Sequence, residues 1–350
     1  MKRILLTSAA VLCAQSAFAG GIERSPVSPL ILFEEGKYAE ASIGIVDGDV
    51  SGVLGVSSGD VAPSYTNFNG GYKWDYGGKL DVAFLIGQSY GADVDYGGAA
   101  AGYPLAGSNA KLSSLGITSL ARYELDGGMS VYGGLTAQSL EMEVALTGGY
   151  TGEGSNTWGY GYIAGVAYEK PEIAMRLALT YQSEVDFEID TLENSVLATT
   201  TDVTLPQSLT LDFQTGVAAD TLLFGSIRYV DWEAFDITPV GFASGNGGAS
   251  LVSYSDSTTT YSLGLGRRFT QDWSGAVSVA HEPSGGTPVG NLGPTDGRTS
   301  IGVGGTYTSG NMKITGGVQY IMIGDATTTI GAQFDDNTAL AFGLKLGIQM

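Results

Sequence analysis

Ester hydrolysis is the chemistry that the single histidine of this sequence would suit, but the other groups that such a reaction needs are missing. A covalent hydrolase needs a nucleophile, a base and a group that orients the base. The chain has one histidine, His281, and one Gly-x-Ser-x-Gly match at residues 55–59. That match lies in a stretch rich in Gly and Ser, without the strand and helix that a nucleophile elbow needs. We therefore predict no catalytic residue, and a lipid hydrolase centred on His281 is a minor alternative.

Sites for phosphate, metal ions and nucleic acid are not indicated either. Gly-Lys occurs at residues 36–37 and 78–79, and neither lysine precedes the Ser or Thr of a phosphate loop. Residues 47–49, Asp-Gly-Asp, begin like a calcium loop, but the other ligands of that loop are missing. A formal net charge of −20 disfavours nucleic acid as a partner. We predict no cofactor and no metal.

Three basic residues remain as candidates for contact with a ligand. Arg176, Arg228 and Lys345 are expected to face inward from strands whose other face is apolar. Each could meet the carboxylate of a ligand, or could form an ion pair with another inward-facing residue. The sequence leaves both interpretations open.

The strand that carries Lys345 shows which kind of element positions these side chains. Every second residue from 340 to 350 is large and apolar, and the alternate positions are small, polar or charged. Such a pattern places the apolar residues on one face of a strand. A strand of about 9–11 residues with one apolar face is the unit that crosses a bilayer in a closed barrel.

The rest of the chain repeats this unit. We predict fourteen strands, at residues 38–46, 66–75, 79–88, 113–125, 129–143, 160–170, 172–187, 206–218, 221–233, 259–269, 273–282, 299–309, 311–323 and 338–350. After the first strand, long loops alternate with short turns, as they do between the outer face and the periplasmic face of outer-membrane barrels. The predicted fold is an all-β transmembrane antiparallel β-barrel of about 14 strands over residues 38–350, whose last strand pairs with the first.

The N-terminus predicts export followed by a plug. Residues 1–19 have a basic start, a short apolar core and an Ala-x-Ala end, as a signal peptide does. Residues 20–37 contain two prolines and then an apolar tetrapeptide, Leu30, Ile31, Leu32 and Phe33. This segment is either a hatch inside the barrel or a disordered periplasmic lead, and the tetrapeptide favours the hatch. The predicted location is the bacterial outer membrane.

Charges and aromatic residues are distributed as a membrane would require. Tyr181, Tyr229, Trp232 and Trp273 lie near predicted strand ends, where interfacial girdles collect aromatic rings. Acidic residues cluster in the outer segments, which are a solvated surface or a place where divalent cations bridge to lipopolysaccharide. Outer-membrane lipid and lipopolysaccharide are therefore the expected surroundings.

One predicted strand contains a break. Gly87 and Gly91 flank Ser89 and Tyr90, where the alternation of the third strand fails. The break is either a lateral opening in the wall or the ordinary end of a strand entering its loop. A hydrophobic solute could leave a barrel sideways only through such a gap, because backbone groups that face lipid must otherwise be paired.

Four motifs occur in the order of a known family. They are residues 89–96 (Ser-Tyr-Gly-Ala-Asp-Val-Asp-Tyr), residues 165–169 with 179–185, Leu205-Pro206, and residues 228–235 (Arg-Tyr-Val-Asp-Trp-Glu-Ala-Phe). With these the chain resembles the FadL-type outer-membrane transporters of long-chain fatty acids and other hydrophobic compounds. It departs from them by a short hatch without Asn-Pro-Ala, by Ser89-Tyr90 in place of Pro-Phe, and by ending on Met350 rather than an aromatic residue.

The resemblance implies passive uptake of a hydrophobic small molecule by a monomer. A ligand would be captured at the outer face, pass to a lumen site and leave sideways at the kink in the third strand, with no energy source. Two alternatives remain, a structural or adhesive barrel whose acidic loops act outside the cell, and a general porin.

Overall fold

The computed structural model describes residues 21–286 and 288–350. The predicted signal peptide, residues 1–19, and the first residue of the predicted hatch, Gly20, lie outside the described residues. No helix among the described residues is long and apolar enough to cross a membrane.

Fourteen antiparallel strands form one closed barrel. They are β1 Tyr38–Asp49, β2 Tyr65–Asp75, β3 Leu80–Gly87, β4 Asn109–Glu124, β5 Met129–Ala145, β6 Thr151–Lys170, β7 Met175–Gln182, β8 Ser208–Ala218, β9 Thr221–Val230, β10 Thr258–Arg268, β11 Trp273–Glu282, β12 Arg298–Ser309, β13 Met312–Ile323 and β14 Thr338–Gln349. The ladder between β1 and β14 runs from Tyr38 opposite Gln349 to Asp49 opposite Thr338 and closes the ring. The predicted fold class is confirmed, and β14 pairs with β1 as predicted.

The long links carry structure of their own at the outer end. Val185–Glu193 and Leu197–Leu205 pair as a hairpin that extends β7 and β8, and Gly91–Asp95 resumes the direction of β3. The other loop strands are Ser51–Leu54, Val56–Asp60, Asp236–Ile237, Val252–Ser253, Ala326–Thr327 and Gln333–Phe334. One short α-helix spans Val240–Gly245, and 3-10 turns span Pro29–Phe33, Tyr96–Gly98, Asp126–Gly128, Pro171–Ile173 and Trp232–Ala234. The hairpin at 185–205 makes up most of the long link between the two predicted strands, and in it Val185, Phe187 and Ile189 alternate with exposed acidic residues.

The outside of the barrel is apolar. Large apolar side chains at alternate positions are exposed around the ring, among them Ile43, Phe68, Phe84, Ile117, Leu135, Val166, Leu179, Leu209, Ile227, Leu263, Val277, Ile301, Val318 and Leu344. Aromatic side chains lie at both ends of this belt. Trp74, Trp273 and Tyr307 are beside the short turns, and Trp158, Tyr229 and Tyr320 are towards the long loops. An apolar belt between aromatic girdles matches the surface that a bilayer requires.

Trp232 does not belong to a girdle, contrary to prediction. Its side chain is fully buried inside, against Phe235 and Tyr254. The chain leaves the wall after Val230 and makes a 3-10 turn, which carries Trp232 inward. Parity along β9 therefore does not apply to this residue.

Candidate functional site

The N-terminal segment, residues 21–37, lies inside the barrel. Its 3-10 turn Pro29–Phe33 begins at the cap Ser28, whose hydroxyl accepts a hydrogen bond from the amide of Leu30, with proline in the first helical position. Ile31 and Leu32 are buried in one cluster with Leu120 and Tyr132 of the wall, and Leu30 packs against it. Burial of such side chains contributes on the order of 1.5–3 kcal/mol each.

Phe33 fixes the lower end of this turn, the end nearer the short turns of the barrel, through two guanidinium groups. The carbon Cζ of Arg122 lies 4.5 Å from the centre of the Phe33 ring, and that of Arg176 lies 4.7 Å away. The ring also meets Tyr132 edge to face, with 5.9 Å between the centroids. A cation held over an aromatic face inside a protein contributes about 2 kcal/mol. Both arginines therefore hold the segment in place.

Charged side chains complete the closure at the end with the short turns. Lys73 donates a hydrogen bond to the Glu34 carbonyl at 2.6 Å, and Arg122 donates one to the Leu32 carbonyl at 3.0 Å. Lys313 pairs with the Glu34 carboxylate at 3.2 Å. Below them lies a vestibule of about 550 Å³ lined largely by charged residues. The lumen at this end is polar and obstructed.

The upper part of the segment pairs with the break in the wall. Gly87 is the last residue of β3 opposite β2, where it pairs with Asn69. The amide of Arg24 donates to the Ser89 carbonyl at 2.8 Å, and the amide of Gly91 donates to the Ile22 carbonyl at 2.8 Å. The N-terminal segment thus supplies backbone partners where the neighbouring strand does not.

A residue of the same segment reaches across the lumen. Glu23 is almost fully buried, and Arg228 of β9 donates to it from Nε at 3.0 Å and from Nη2 at 2.6 Å. β3 and β9 lie on nearly opposite sides of the fourteen-stranded ring. Tyr90 of the break also crosses the lumen, since its hydroxyl accepts a hydrogen bond from Gln182 at 3.4 Å.

Two apolar pockets lie above this crossing. The first has a volume of about 50 Å³ and is lined mainly by aliphatic residues, including Ile22, Met142 and Leu251. The second has a volume of about 100 Å³ and includes Glu23 and Tyr254 in its wall. An apolar lining with a few polar groups is typical of sites for hydrophobic ligands, but both cavities are smaller here than the roughly 300–1,000 Å³ that such sites usually have.

The structure separates the three predicted basic residues. Arg176 lies at the lower plug and donates to Gln214 at 3.0 Å, whereas Arg228 lies at the upper crossing with Glu23. Lys345 pairs with Glu40 at 2.5 Å on another part of the wall. Lys345 and Arg228 are therefore engaged in ion pairs within the lumen, one of the two interpretations that the sequence left open.

Glu23, Tyr254 and the aliphatic lining of the outer pockets were not predicted from the sequence. The signal for Glu23 was a charged residue placed ahead of an apolar plug, where burial would oblige it to find a partner. Its partner lies 205 positions away in the chain, so the pair itself has no local signature.

A carboxylate holds the loop that covers the first pocket. Glu193, at the tip of the outer hairpin, accepts hydrogen bonds from the amides of Gly241 at 2.7 Å and Phe242 at 2.8 Å. The hydroxyls of Tyr150 and Thr199 donate to it at 2.8 and 3.0 Å. The helix Val240–Gly245 is thereby fixed to the hairpin, next to the residues that line the pocket.

We expect these hydrogen bonds of Glu193, the carboxylate clamp, to persist in mild acid and to be lost at lower pH. Burial acts to raise the pKa of Glu193, but its four hydrogen bonds prevail and hold that pKa below the ordinary value of 4.5. The stabilisation that the clamp gives to the folded state is thus complete above pH 4.5 and is lost as the pH falls through the lowered pKa. Hydrogen exchange at the Gly241 and Phe242 amides, corrected for intrinsic rates, should show this loss. Glu193→Gln should lose protection at neutral pH, and unchanged protection would rule the clamp out.

The other candidate chemistry is not assembled. His281 lies in the outward-facing row of β11, where its Nδ1 is 2.9 Å from the Thr299 hydroxyl. The Ser57 hydroxyl accepts a hydrogen bond from the amide of Gly59 within its own loop. Within residues 21–286 and 288–350, no group of three or more His, Cys, Asp or Glu residues is placed to hold a metal ion.

Solved structures share this fold at low sequence identity. A Pseudomonas aeruginosa FadL homologue aligns at 12% identity over 91% of both chains, with a TM-score of 0.74. The P. putida toluene transporter TodX aligns at 12% identity over 92% of both chains, with a TM-score of 0.66. The Ralstonia pickettii toluene transporter TbuX aligns at 14% identity over 91% of this chain and 90% of its own, with a TM-score of 0.64. No protein-family model and no curated protein matches the sequence.

The predicted resemblance is confirmed at the level of the fold. The closed ring, the apolar belt and the girdles place the chain in the bacterial outer membrane, as predicted. With a fourteen-stranded barrel and a segment of its own N-terminus inside it, the chain has the fold of the FadL-type outer-membrane transporters.

Proposed function

We propose that the protein is a passive channel for long-chain fatty acids or similar hydrophobic solutes, which leave sideways through the barrel wall. The observation that carries this proposal is the interruption between β2 and β3 beside an otherwise plugged lumen. Two of the proteins with this fold, TodX and TbuX, are toluene transporters, which supports a hydrophobic solute for this chain as well.

Polarity decides the direction in which a hydrophobic solute can move. The pockets above the crossing are mainly apolar, whereas the vestibule at the other end is lined by charges and closed by the plug. Passing through that vestibule would take apolar surface from a lipid-like lining into water, which costs about 25 cal/mol per Å². Lateral exit keeps the solute in apolar surroundings, because the lipid belt begins at the outer surface of the wall.

The wall is interrupted where such an exit is needed. Residues 65–67 of β2 pair with β1 on one side but have no partner in β3 on the other. The amide of Phe68 instead donates a hydrogen bond to the side-chain oxygen of Gln88 at 3.3 Å. A side chain can swing away from this position more readily than a strand can leave its ladder. We assign the lateral opening to Gly87, Ser89, Tyr90 and Gly91 with Gln88 as its movable cover.

A disulfide across the interruption should block uptake. The predicted mature chain has no cysteine, so Phe68→Cys combined with Gln88→Cys introduces the only thiols. Their oxidation would join β2 to the moving cover, and uptake of labelled oleate by cells should fall by about tenfold or more. Reduction should restore it.

A second pair on the same two strands provides the control. Tyr72 and Phe84 are already opposite each other in the ladder, so a disulfide between cysteines there adds no new restraint on the opening. Oxidised Tyr72→Cys/Phe84→Cys should take up oleate as the wild type does. Normal uptake with the 68–88 bridge formed would exclude this exit. Absence of uptake by the wild type itself would favour a structural or adhesive barrel.

A further inference from the structure

We propose that Arg228 is the recognition site for the carboxylate of an amphiphilic ligand, that Glu23 occupies this site in the closed state, and that exchange of one carboxylate for the other frees the N-terminal segment. The proposal rests on the proposed function and specifies its substrate class as hydrophobic tails that carry a carboxylate. It also makes Glu23 a residue that determines specificity.

The contact between Glu23 and Arg228 has the geometry of a bound ligand. Both carboxylate oxygens accept hydrogen bonds from one guanidinium, at 2.6 and 3.0 Å. Such a fork is the preferred arrangement for recognition of a carboxylate by arginine. The remaining nitrogen of Arg228, Nη1, donates to the Thr210 hydroxyl at 2.7 Å, which fixes the plane of the guanidinium.

The same stretch that supplies this carboxylate also seals the wall. The carbonyl of Ile22 and the amides of Arg24 and Ser25 bond to Ser89 and Gly91 of the break. The backbone of Glu23 forms an isolated antiparallel bridge with that of Tyr90. The side chain and the backbone of one short stretch therefore hold opposite walls, so release of Glu23 removes the support that keeps the stretch on the break.

Only another anion can take the place of Glu23 at low cost. Removing one partner of a buried ion pair leaves the other charge uncompensated, and this is strongly unfavourable. A neutral hydrocarbon in the outer pockets has neither a charge nor a hydrogen-bond acceptor for Arg228. A ligand carboxylate restores both hydrogen bonds, while the first part of its tail lies in the apolar pocket whose wall includes Glu23.

The wall next to Arg228 retains capacity for an anion. Arg228 is opposite Thr260 in the ladder, and Thr260 donates to Glu282 at 2.6 Å. Glu282 in turn pairs with Arg298 at 3.4 Å, so these four residues form a row on adjacent strands. Arg298 is 6% exposed, and its Nη1 has no hydrogen-bond partner in the described part of the chain. This row can thus hold a further negative charge beside the displaced Glu23.

Trp232 can report the release. An ideal Cβ added to Gly21 would lie 2.6 Å from the Trp232 ring, so the start of the segment packs directly on the indole. In a variant with Trp74, Trp158 and Trp273 changed to Phe, purified in a non-ionic detergent, Trp232 is the only tryptophan. Laurate should change its fluorescence with saturation, whereas methyl laurate, which has the same tail without the charge, should not.

If carboxylate exchange releases the segment, the tryptophan fluorescence of Glu23→Gln should differ from that of the wild type. Without its charge the segment is held weakly, so the fluorescence should resemble that of the laurate complex before any ligand is added. Asp186→Asn removes an exposed carboxylate that accepts from Thr204 far from this site, and it should behave as the wild type. Equal responses to laurate and methyl laurate in the wild type would overturn the proposal.

Uptake separates the exchange from transport itself. Wild-type cells should take up labelled oleate about tenfold faster than methyl oleate, equivalent to about 1.4 kcal/mol, and in Glu23→Gln this ratio should approach one. If the wild type takes up both equally and Glu23→Gln leaves this unchanged, the exchange is refuted and the channel remains. If the wild type takes up neither above cells without the gene, the proposed function fails instead.

Discussion

Deletion of residues 22–36 is expected to convert the closed barrel into an ion-conducting pore. A fourteen-stranded barrel encloses a wide lumen, and its middle is filled here by the N-terminal segment. The deleted residues include Leu32, which is fully buried, and Phe33, which lies between two arginines. Nothing else among the described residues supplies the contacts of that plug. In planar bilayers the deletion variant should show stable conductance steps that the full chain lacks.

The pore should prefer anions. Deletion removes Glu23 and Glu34 and leaves their partners Arg228 and Lys313 facing an open lumen. Unpaired cations along a narrow path favour anions electrostatically. Under a gradient of potassium chloride, the reversal potential should therefore have the sign of chloride selectivity.

A charge-matched variant separates obstruction from electrostatics. Glu23→Gln combined with Glu34→Gln removes the same two carboxylates but keeps Ile31, Leu32 and Phe33 packed against the wall. Its conductance should therefore stay close to that of the full chain, even where the stretch around residue 23 is released. Heat-dependent mobility on gels would show that each barrel is folded. A folded deletion variant that conducts no better than the full chain would mean that the outer loops, and not this segment, close the lumen.

The barrel was predictable because lipid imposes parity on every strand. In β14, Leu340, Phe342 and Leu344 are exposed while Lys345 is buried, which is the arrangement that their alternation requires. The order of short and long links then fixed the count of strands and the partner of the last one. Each of these signals is local in sequence, and together they determine the ring.

The lumen was less predictable because its contacts join strands that are distant in sequence. Arg122 pairs with Glu169 at 2.9 Å, and Lys345 pairs with Glu40, but the sequence named neither partner. Alternation indicates that a side chain faces inward, but it contains no information about what lies across the ring. Glu23 and Arg228 are the extreme case, since one lies outside any strand.

Trp232 and the outer hairpin show two further limits. Trp232 follows β9 closely enough to look interfacial, and only the turn after Val230 carries it inward. In the hairpin, by contrast, the alternation of Phe187 and Ile189 with acidic residues was present in the sequence. The charges there suggested a solvated loop, although a strand that rises above the membrane exposes polar residues on its outer face for the same reason.

Replacement of Leu344 by arginine should destabilise the inserted barrel strongly. Leu344 lies at the middle of β14 and is 52% exposed to the outside, where the belt contacts hydrocarbon. An arginine facing lipid at the midplane costs about 2–4 kcal/mol, and this cost falls to about 0–1 kcal/mol near the interfaces. Met350→Arg is the matched control, because residue 350 continues the same row at its end and is 59% exposed. The free energy of unfolding from lipid vesicles should therefore fall by about 1–4 kcal/mol more in Leu344→Arg than in Met350→Arg. Equal losses in the two variants would mean that the row does not cross the bilayer at the depth assigned to it.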